Sequence, residues 1–508
     1  MSPTTFAILL VILGSIISFL VQIHNRNGRK LPPGPRPLPI IGNLHMLTPL
    51  PHRGLQALAK KYGPIMSMRL GRVPTVVVSS PQAAELILQT HDAIFASRPK
   101  VQASAYLSYG SKGMAFNEYG PYWRNVRKFC TLQLLTSSKT ASFAALRAAE
   151  VASLVASLRA AAAAGEVVDV SSKVGRLVAD ISCRIVLGRN VGDERYDLKR
   201  LVEEIMRLTG AFNLADYVPY LAPLDLQGYT RQLKKVNKEM DKVLEEIIAE
   251  HEEVGRYKQG HHDDFIDVLL SLMNQPMNPQ DRENVFIIDR TNIKAILVDL
   301  LTAALDTSSA SVEWTLSELI KNPRVMKNAQ RELESVIGME RTVEEKDVEK
   351  LDYLDMVVKE SFRLHPVIPL LLPRESLKEI TIKGYHIPNK SRVIVNVWAI
   401  GRDPNVWSEN VEEFYPERFG ESDDIDFRGR DFRLLPFGSG RRGCPGMQLG
   451  LTTIHFVVAQ LVHCFSWEVP SGMNPAEIDM IEKFGLSVVR ANHLLLKPIY
   501  RLRCSETT

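Results

Sequence analysis

The sequence predicts a mainly α-helical protein with small β-sheets, an α+β arrangement in which helices dominate. Three observations carry this. Apolar residues recur at helical spacing over most of the chain; Leu233, Val236, Met240, Val243, Leu244, Ile247 and Ile248 share one face, with charges opposite. Residues 291–320 run thirty positions without Pro or Gly, which predicts one long helix. Alternating β-branched stretches are few. Residues 65–79, with Gly71 near the middle, predict a hairpin, and residues 380–398 predict a second strand pair, ITIKGYHI with RVIVNVWA.

The first element is a membrane anchor over residues 1–25. Phe6 to Ile23 carries no charge, and eighteen helical residues span roughly 27 Å, near the thickness of an endoplasmic reticulum bilayer core. A cleaved signal peptide is the alternative, but it wants positive charge before the apolar run, and Met1 to Thr5 has none. The positives follow, at Arg26, Arg29 and Lys30, which places the remainder in the cytosol. The sequon Asn389-Lys390-Ser391 is then unglycosylated. Residues 26–43 form a basic, proline-rich hinge, since proline restricts φ and removes a donor. Residues 44–508 are the body.

That body has the composition of a globular protein: 45% hydrophobic and 24% charged, with one evident spanning segment, which excludes disorder, collagen and a polytopic membrane protein. A net charge of +4 is a poor footprint for nucleic acid. The helix ending in Ala160–Ala164 is stopped by Gly165. Residues 255–264 read as a polar loop with two solvated histidines. No nucleotide-binding glycine loop, GxSxG elbow or second histidine of a zinc-protease helix is present. Five widely spaced cysteines without CxxC indicate reduced thiols and no disulfide framework.

Cys444 stands apart. It lies in LPFGSGRRGCPGMQLG (435–450), amid glycines that allow close approach of a bulky flat ligand, with Arg441 and Arg442 before it. A helix beginning near Met447 puts it at a helix N-terminus, where dipole and free N–H groups favour a thiolate. Pro445 has no N–H, so donors to the sulfur come from Gly446 onward. Such a thiolate can be a nucleophile, a redox sensor or a metal ligand.

Phe437-x-x-Gly440-x-Arg442-x-Cys444-x-Gly446 resembles the haem-binding signature of the cytochrome P-450 superfamily at every fixed position. Glu360-Ser361-Phe362-Arg363 resembles that family's ExxR, Pro416-Glu417-Arg418-Phe419 its PERF, and Trp123 with Arg127 its WxxxR. Order and anchor are similar to the plant microsomal A-type group. The resemblance implies the cytochrome P-450 fold and haem b with Cys444 as axial thiolate, which favours O–O cleavage. It implies that Arg442, Trp123, Arg127 and Arg374 hold the propionates, that Phe437 packs near the sulfur, and that Glu360, Arg363 and Arg418 form a structural triad. Ala303-Ala304-Leu305-Asp306-Thr307-Ser308 is similar to the oxygen-activation segment, with Ala304 where glycine is usual. There Thr307 bonds the Ala303 carbonyl, opening a local kink, and Asp306 and Thr307 relay protons. The implied substrate pocket includes Ala103, Leu107, Leu300, Ala303, Ala304, Val367, Ile368, Leu371, Phe484 and Leu486.

The expected activity is a monooxygenase using O2. NADPH and flavins enter only through a partner, a membrane-bound NADPH–cytochrome reductase docking on the Cys444 side. The expected substrate is a small apolar or aromatic plant metabolite, phenolic or terpenoid. The expected location is the endoplasmic reticulum membrane. Two readings stand beside it. A haem-thiolate isomerase or dehydratase would need no reductase, and no use for Asp306 and Thr307. A non-catalytic haem sensor would bind haem without consuming NADPH.

Overall fold

Ten helices of twelve residues or more dominate the computed structural model, which describes residues 30–255, 263–408, 410–420, 425–470 and 472–503. The anchor expected over residues 1–25 lies outside the described residues, as does the centre of the polar loop. In chain order the helices are α1 (Pro51–Tyr62), α2 (Pro121–Gln133), α3 (Ala144–Ala164), α4 (Val170–Leu187), α5 (Leu198–Gly210), α6 (Tyr229–Val254), α7 (Arg290–Lys321), α8 (Pro323–Ile337), α9 (Asp352–Leu364) and α10 (Met447–Cys464).

The helical expectations hold at their ends as well as their centres. In α6 Leu233, Val236, Met240, Leu244, Ile247 and Ile248 are buried and Val243 is half-buried. The stretch 291–320 becomes α7, capped by Asp289, which accepts the Asn292 N–H at 2.7 Å. Helix α7 packs against α4, α9 and α10 in the main core. Helices α7 and α10 are also long and apolar enough to cross a bilayer, so the sequence has more such segments than its uncharged start; here 67% of each apolar stretch is buried among other helices.

Eleven short strands, among the described residues, make four small sheets. The largest is ordered β1 (Ile65–Leu70), β2 (Val73–Val78), β7 (Arg392–Val395), β4 (Arg374–Glu375). The hairpin over 65–79 is present as β1 and β2, in register Ile65 to Val78. The pair expected over 380–398 is corrected. Ile380–Ile382 pairs with Tyr385–Ile387 inside the first segment, while β7 lies parallel to β2 with Thr75 opposite Arg392. The end of RVIVNVWA turns into a helical turn, Val397–Ile400. All four residues of β7 are buried, so it reads as an internal strand, which needs neighbours on both sides.

The proline-rich stretch is no free linker over its described part. Ser67 donates its backbone N–H to Pro33 O at 2.8 Å and its hydroxyl to Pro32 O at 2.7 Å, fastening residues 32–33 along β1.

Helix α3 ends as expected: Gly165 takes φ +66° and donates its N–H to Ala162 O at 3.1 Å. An L-residue in that conformation costs about 1–2 kcal/mol, so Gly165→Ala is expected to lower stability by about 1 kcal/mol in denaturant unfolding. An unchanged midpoint would show that the helix end relaxes.

Candidate functional site

The loop before α10 is held by close backbone contacts. A Cβ on Gly440, at φ +68°, would sit 2.2 Å from Leu88 O, so this close approach requires glycine. Cys444 donates its N–H to Phe437 O at 2.8 Å, and the Phe437 ring meets Phe362 edge-on at 5.7 Å. Gly446 differs: a Cβ there meets no protein atom within 4 Å. The protein's own packing does not demand glycine at 446, whereas a flat ligand approaching the backbone would.

Cys130, Cys183 and Cys464 are buried, and burial pushes the Cys183 and Cys464 thiols up to about 12, as expected of inert core residues. Cys444 is reachable by solvent although protein surrounds it, which describes the floor of a pit rather than an outer surface. Its thiol is raised by that burial, with the Gly446 N–H and the Arg127 charge acting the other way. The low-pKa thiolate expected from the helix N-terminus is therefore corrected: desolvation outweighs those two influences, and a bound metal would have to displace the proton.

Around this loop four guanidinium groups converge. Arg442 donates to Ala96 O at 2.6 Å and Asn117 O at 2.5 Å, with its guanidinium 3.9 Å from the Trp123 ring centre. Arg127 donates to Gly443 O at 2.6 Å. Arg374 donates to Asp92 Oδ1 and Ser439 O, each at 2.7 Å. Arg98, which no sequence motif marked, donates to Leu372 O and Pro373 O at 2.5 and 2.9 Å. Burial, then the charges of Arg374 and Arg127, pushes Arg442 down to about 9. Arg98 is lowered by burial and by Arg442, Arg374 and Arg127. Asp92 is the carboxylate bonded within this group, so positive charge is in surplus. That donor set, beside one reachable thiol, fits a porphyrin bearing two propionates. The Trp123 indole N–H donates to Met114 O at 3.0 Å, and its ring lies against Arg442. Arg374 donates to Asp92 and Ser439, which ties it to the cysteine loop.

Helix α7 brings the second part. Thr307 Oγ1 donates to Ala303 O at 2.8 Å, as expected, but the helix continues through the segment without a break. Ala303 is exposed within a helix that is otherwise largely core, and Ala304 is half-buried, so this face looks onto internal space. The next residue, Ser308, lies 3.9 Å from a Cβ built on Gly450, which sets the α7 segment against the start of α10. The Asp306 carboxyl is raised by burial and by the charge of Glu203, with Ser487, 3.5 Å from Oδ2, opposing. Asp299, also unmarked in the sequence, accepts the Met114 and Ala115 N–H groups at 2.5 and 3.0 Å; burial lifts it to about 6. It ties α7 to the loop whose carbonyls receive Arg98, Trp123 and Arg442.

The expected pocket walls are brought together unevenly. Ala103, Leu107 and Leu300 pack in the main core. Val367 O accepts Val488 N–H at 2.7 Å, joining the segment of Val367, Ile368 and Leu371 to that of Phe484 and Leu486. Val367 itself packs on Ala310 and Trp314, and Leu486 lies against Gly210 of α5. Phe484 is drawn elsewhere: it stacks on His52 of α1 at 6.0 Å. The segment is tied at both ends. Glu482, held down at about 2 chiefly by His52 and Arg53 against its burial, bonds those residues at 3.0 and 2.8 Å, and Arg490 bonds Ser317 at 3.1 Å.

The expected triad is formed. Arg363 bonds both Glu360 oxygens at 2.7 and 2.8 Å, and Arg418 Nε reaches them at 3.0 and 3.1 Å. Their remaining donors go to carbonyls of Gly401, Val411, Glu413 and Trp407. Glu360 and Arg363 side chains are fully buried, so each charge depends on the others.

Known proteins resemble this chain over nearly its whole length. A cytochrome P450 family profile matches residues 32–495. The cytochrome P450 CYP736A12 of Panax ginseng is 58% identical over 504 residues, 99% of this chain and 100% of the relative. Desmethyl-deoxy-podophyllotoxin synthase of Sinopodophyllum hexandrum is 41% identical over 99% of this chain and 98% of its own. Flavonoid 3'-monooxygenase CYP75B137 of Crocosmia x crocosmiiflora is 41% identical over 96% of each. A solved zebra fish cytochrome P450 with abiraterone superposes with a TM-score of 0.74 at 26% identity, covering 89% of this chain and 100% of that one.

Glu360→Gln leaves two buried guanidinium groups without their shared anion. The expected loss is about 3–5 kcal/mol in urea unfolding followed by circular dichroism. A loss below about 1 kcal/mol would mean that the carbonyl contacts suffice.

Proposed function

Because the chain belongs to the cytochrome P450 family, haem-thiolate monooxygenases fed by a partner reductase, we propose that Cys444 is its axial ligand and that it hydroxylates an apolar or aromatic plant specialised metabolite. The observation that carries this is the reachable Cys444 thiol beside four mutually repelling arginines, two buried and two half-buried, with one bonded carboxylate. The haem would supply dioxygen binding and reductive O–O cleavage.

The chain's own residues would do the rest. Gly446 N–H and Arg127 stabilise negative charge on the Cys444 sulfur. Arg442, Arg98 and Arg127 offer the positive field for propionates, with Trp123 and Arg374 holding that set in place. Asp306, whose neutral form is favoured by burial and by Glu203, keeps a proton more readily than an exposed aspartate. Thr307 Oγ1 can pass a proton and re-form its bond to Ala303 O. The Ala304 methyl narrows the space on that face. A phenolic or terpenoid substrate accords with the apolar residues of the candidate walls and with relatives named for flavonoid and podophyllotoxin-type compounds. The division into a 1–25 anchor, a 26–43 hinge and a 44–508 catalytic body, facing the cytosol from the endoplasmic reticulum, rests on the uncharged run 6–23 and the basic residues after it. The reductase would meet the Cys444 side, where Arg441 is half-exposed.

Cys444→Ala is expected to abolish the red-shifted absorption band of the reduced carbon monoxide complex; an unchanged band places the ligand elsewhere. Thr307→Ala is expected to lower product per NADPH by roughly tenfold, with peroxide rising to match. Coupling equal to the parent would contradict the relay. Microsomes carrying this chain and a reductase, given NADPH and a plant metabolite extract, are expected to yield products heavier by one oxygen. Turnover without NADPH would instead support an isomerase.

A further inference from the structure

Outside the cysteine pit, a second cavity of about 370 Å3 opens where the β1–β2 turn meets Pro99 and Lys100, the Asp216–Pro219 segment, and the edge formed by β4 and β7. Its wall carries Arg72, Lys100, Lys390 and Arg392 against Asp216 and Glu375. Two of those cations are matched: Lys100 pairs with Glu118 at 3.1 Å and Lys390 with Glu375 at 2.7 Å. Asp216 accepts the Gln102 N–H at 2.8 Å.

Arg392 is bonded to no anion; the charge of Asp216 reaches it across the cavity wall without an ion-pair contact. Arg392 is only 5% exposed, yet its guanidinium has no ion pair and no hydrogen bond among the described residues, and its Nε is buried without a partner. Its one side-chain contact of this kind is the Tyr217 ring, 4.7 Å from the guanidinium carbon. A buried, unbonded guanidinium is costly, and arginine's planar fork suits an oxyanion. Nothing in the fold requires arginine there for pairing: its backbone makes the strand contacts with Thr75 and Glu375 whatever the side chain.

We propose that this cavity binds a phosphate oxyanion, with Arg392 as its buried anchor and Arg72, Lys100 and Lys390 as its rim. The phosphate is free or carried on a lipid headgroup; Tyr220, Leu224 and Leu226, just beyond Pro219, expose apolar surface that acyl chains could cover. The site joins elements that flank the candidate substrate walls. Pro99 and Lys100 lead into Gln102–Leu107, and Gln102 is bonded to both Asp216 and Thr230. An anion here draws those segments together, so occupancy is expected to stiffen that wall.

The test uses the full-length haem-loaded protein in neutral detergent. At fixed ionic strength, replacing chloride with inorganic phosphate is expected to raise the melting temperature saturably by roughly 1–3 °C. Phosphatidic acid in mixed micelles forms the second arm. Arg392→Gln and, separately, Lys100→Gln are expected to abolish or weaken the response while melting like the parent in chloride. The exposed Lys100 keeps the test valid should Arg392→Gln fold poorly. A response to phosphate identifies the free anion as sufficient; a response to phosphatidic acid alone identifies the headgroup. No saturable response in either arm, or equal responses in parent and both variants, overturns the proposal. So does an Arg392→Gln protein that melts lower in chloride while responding fully, since that marks a packing role on Tyr217.

Discussion

Four guanidinium groups gathered around one glycine-rich loop are the constraint on which the site depends. Arg98, Arg127, Arg374 and Arg442 come from separate parts of the chain, and their charges oppose one another. They are held there by backbone carbonyls of the elements between them: Ala96, Met114, Asn117, Leu372, Pro373, Ser439 and Gly443. Apart from the Asp92 carboxylate on Arg374, the acceptors are neutral and hold the arginines in place without cancelling their charge. The surplus remains available to an anionic group, and the cysteine loop cannot move without disturbing several elements at once.

Two supports keep this arrangement in register. On one side the Glu360–Arg363–Arg418 triad fixes α9 to the chain around Trp407–Glu413, and Phe362 of α9 meets Phe437 of the loop. On the other, Asp299 of α7 binds the Met114–Ala115 backbone, one helical turn before Ala303. The triad serves the thiol side and Asp299 the arginine side, so α7 and α10 meet the same pit from two directions. The loop bearing Ser487 closes a third side, anchored far away in sequence by His52 and Arg53.

What the sequence showed and what it hid follow from the range of the forces involved. Helix α7, the 65–79 hairpin and the stop at Gly165 were legible because periodicity and glycine φ are local. The cysteine loop was legible through its resemblance to a family signature, although Gly440 and Arg442 answer to Leu88, Ala96 and Asn117 far away in sequence. The partner of β7 was not, since β2 lies more than three hundred residues earlier and a strand buried along its whole length does not name its neighbour. Arg98 and Asp299 were missed for the same reason: a lone arginine before proline, or one acid in an apolar helix, acquires meaning only from distant carbonyls and N–H groups. Cys444 shows the opposite failure. Its helix-terminus setting was read correctly, but desolvation, which depends on the whole surroundings, set the direction of its thiol.

The central claim is that sulfur from residue 444 binds iron. X-ray absorption at the iron edge of the purified, haem-loaded ferric protein tests it without reference to any substrate or partner. The account predicts one sulfur scatterer in the first shell beside the porphyrin nitrogens. A first shell of nitrogen and oxygen alone, as histidine ligation would give, would contradict it.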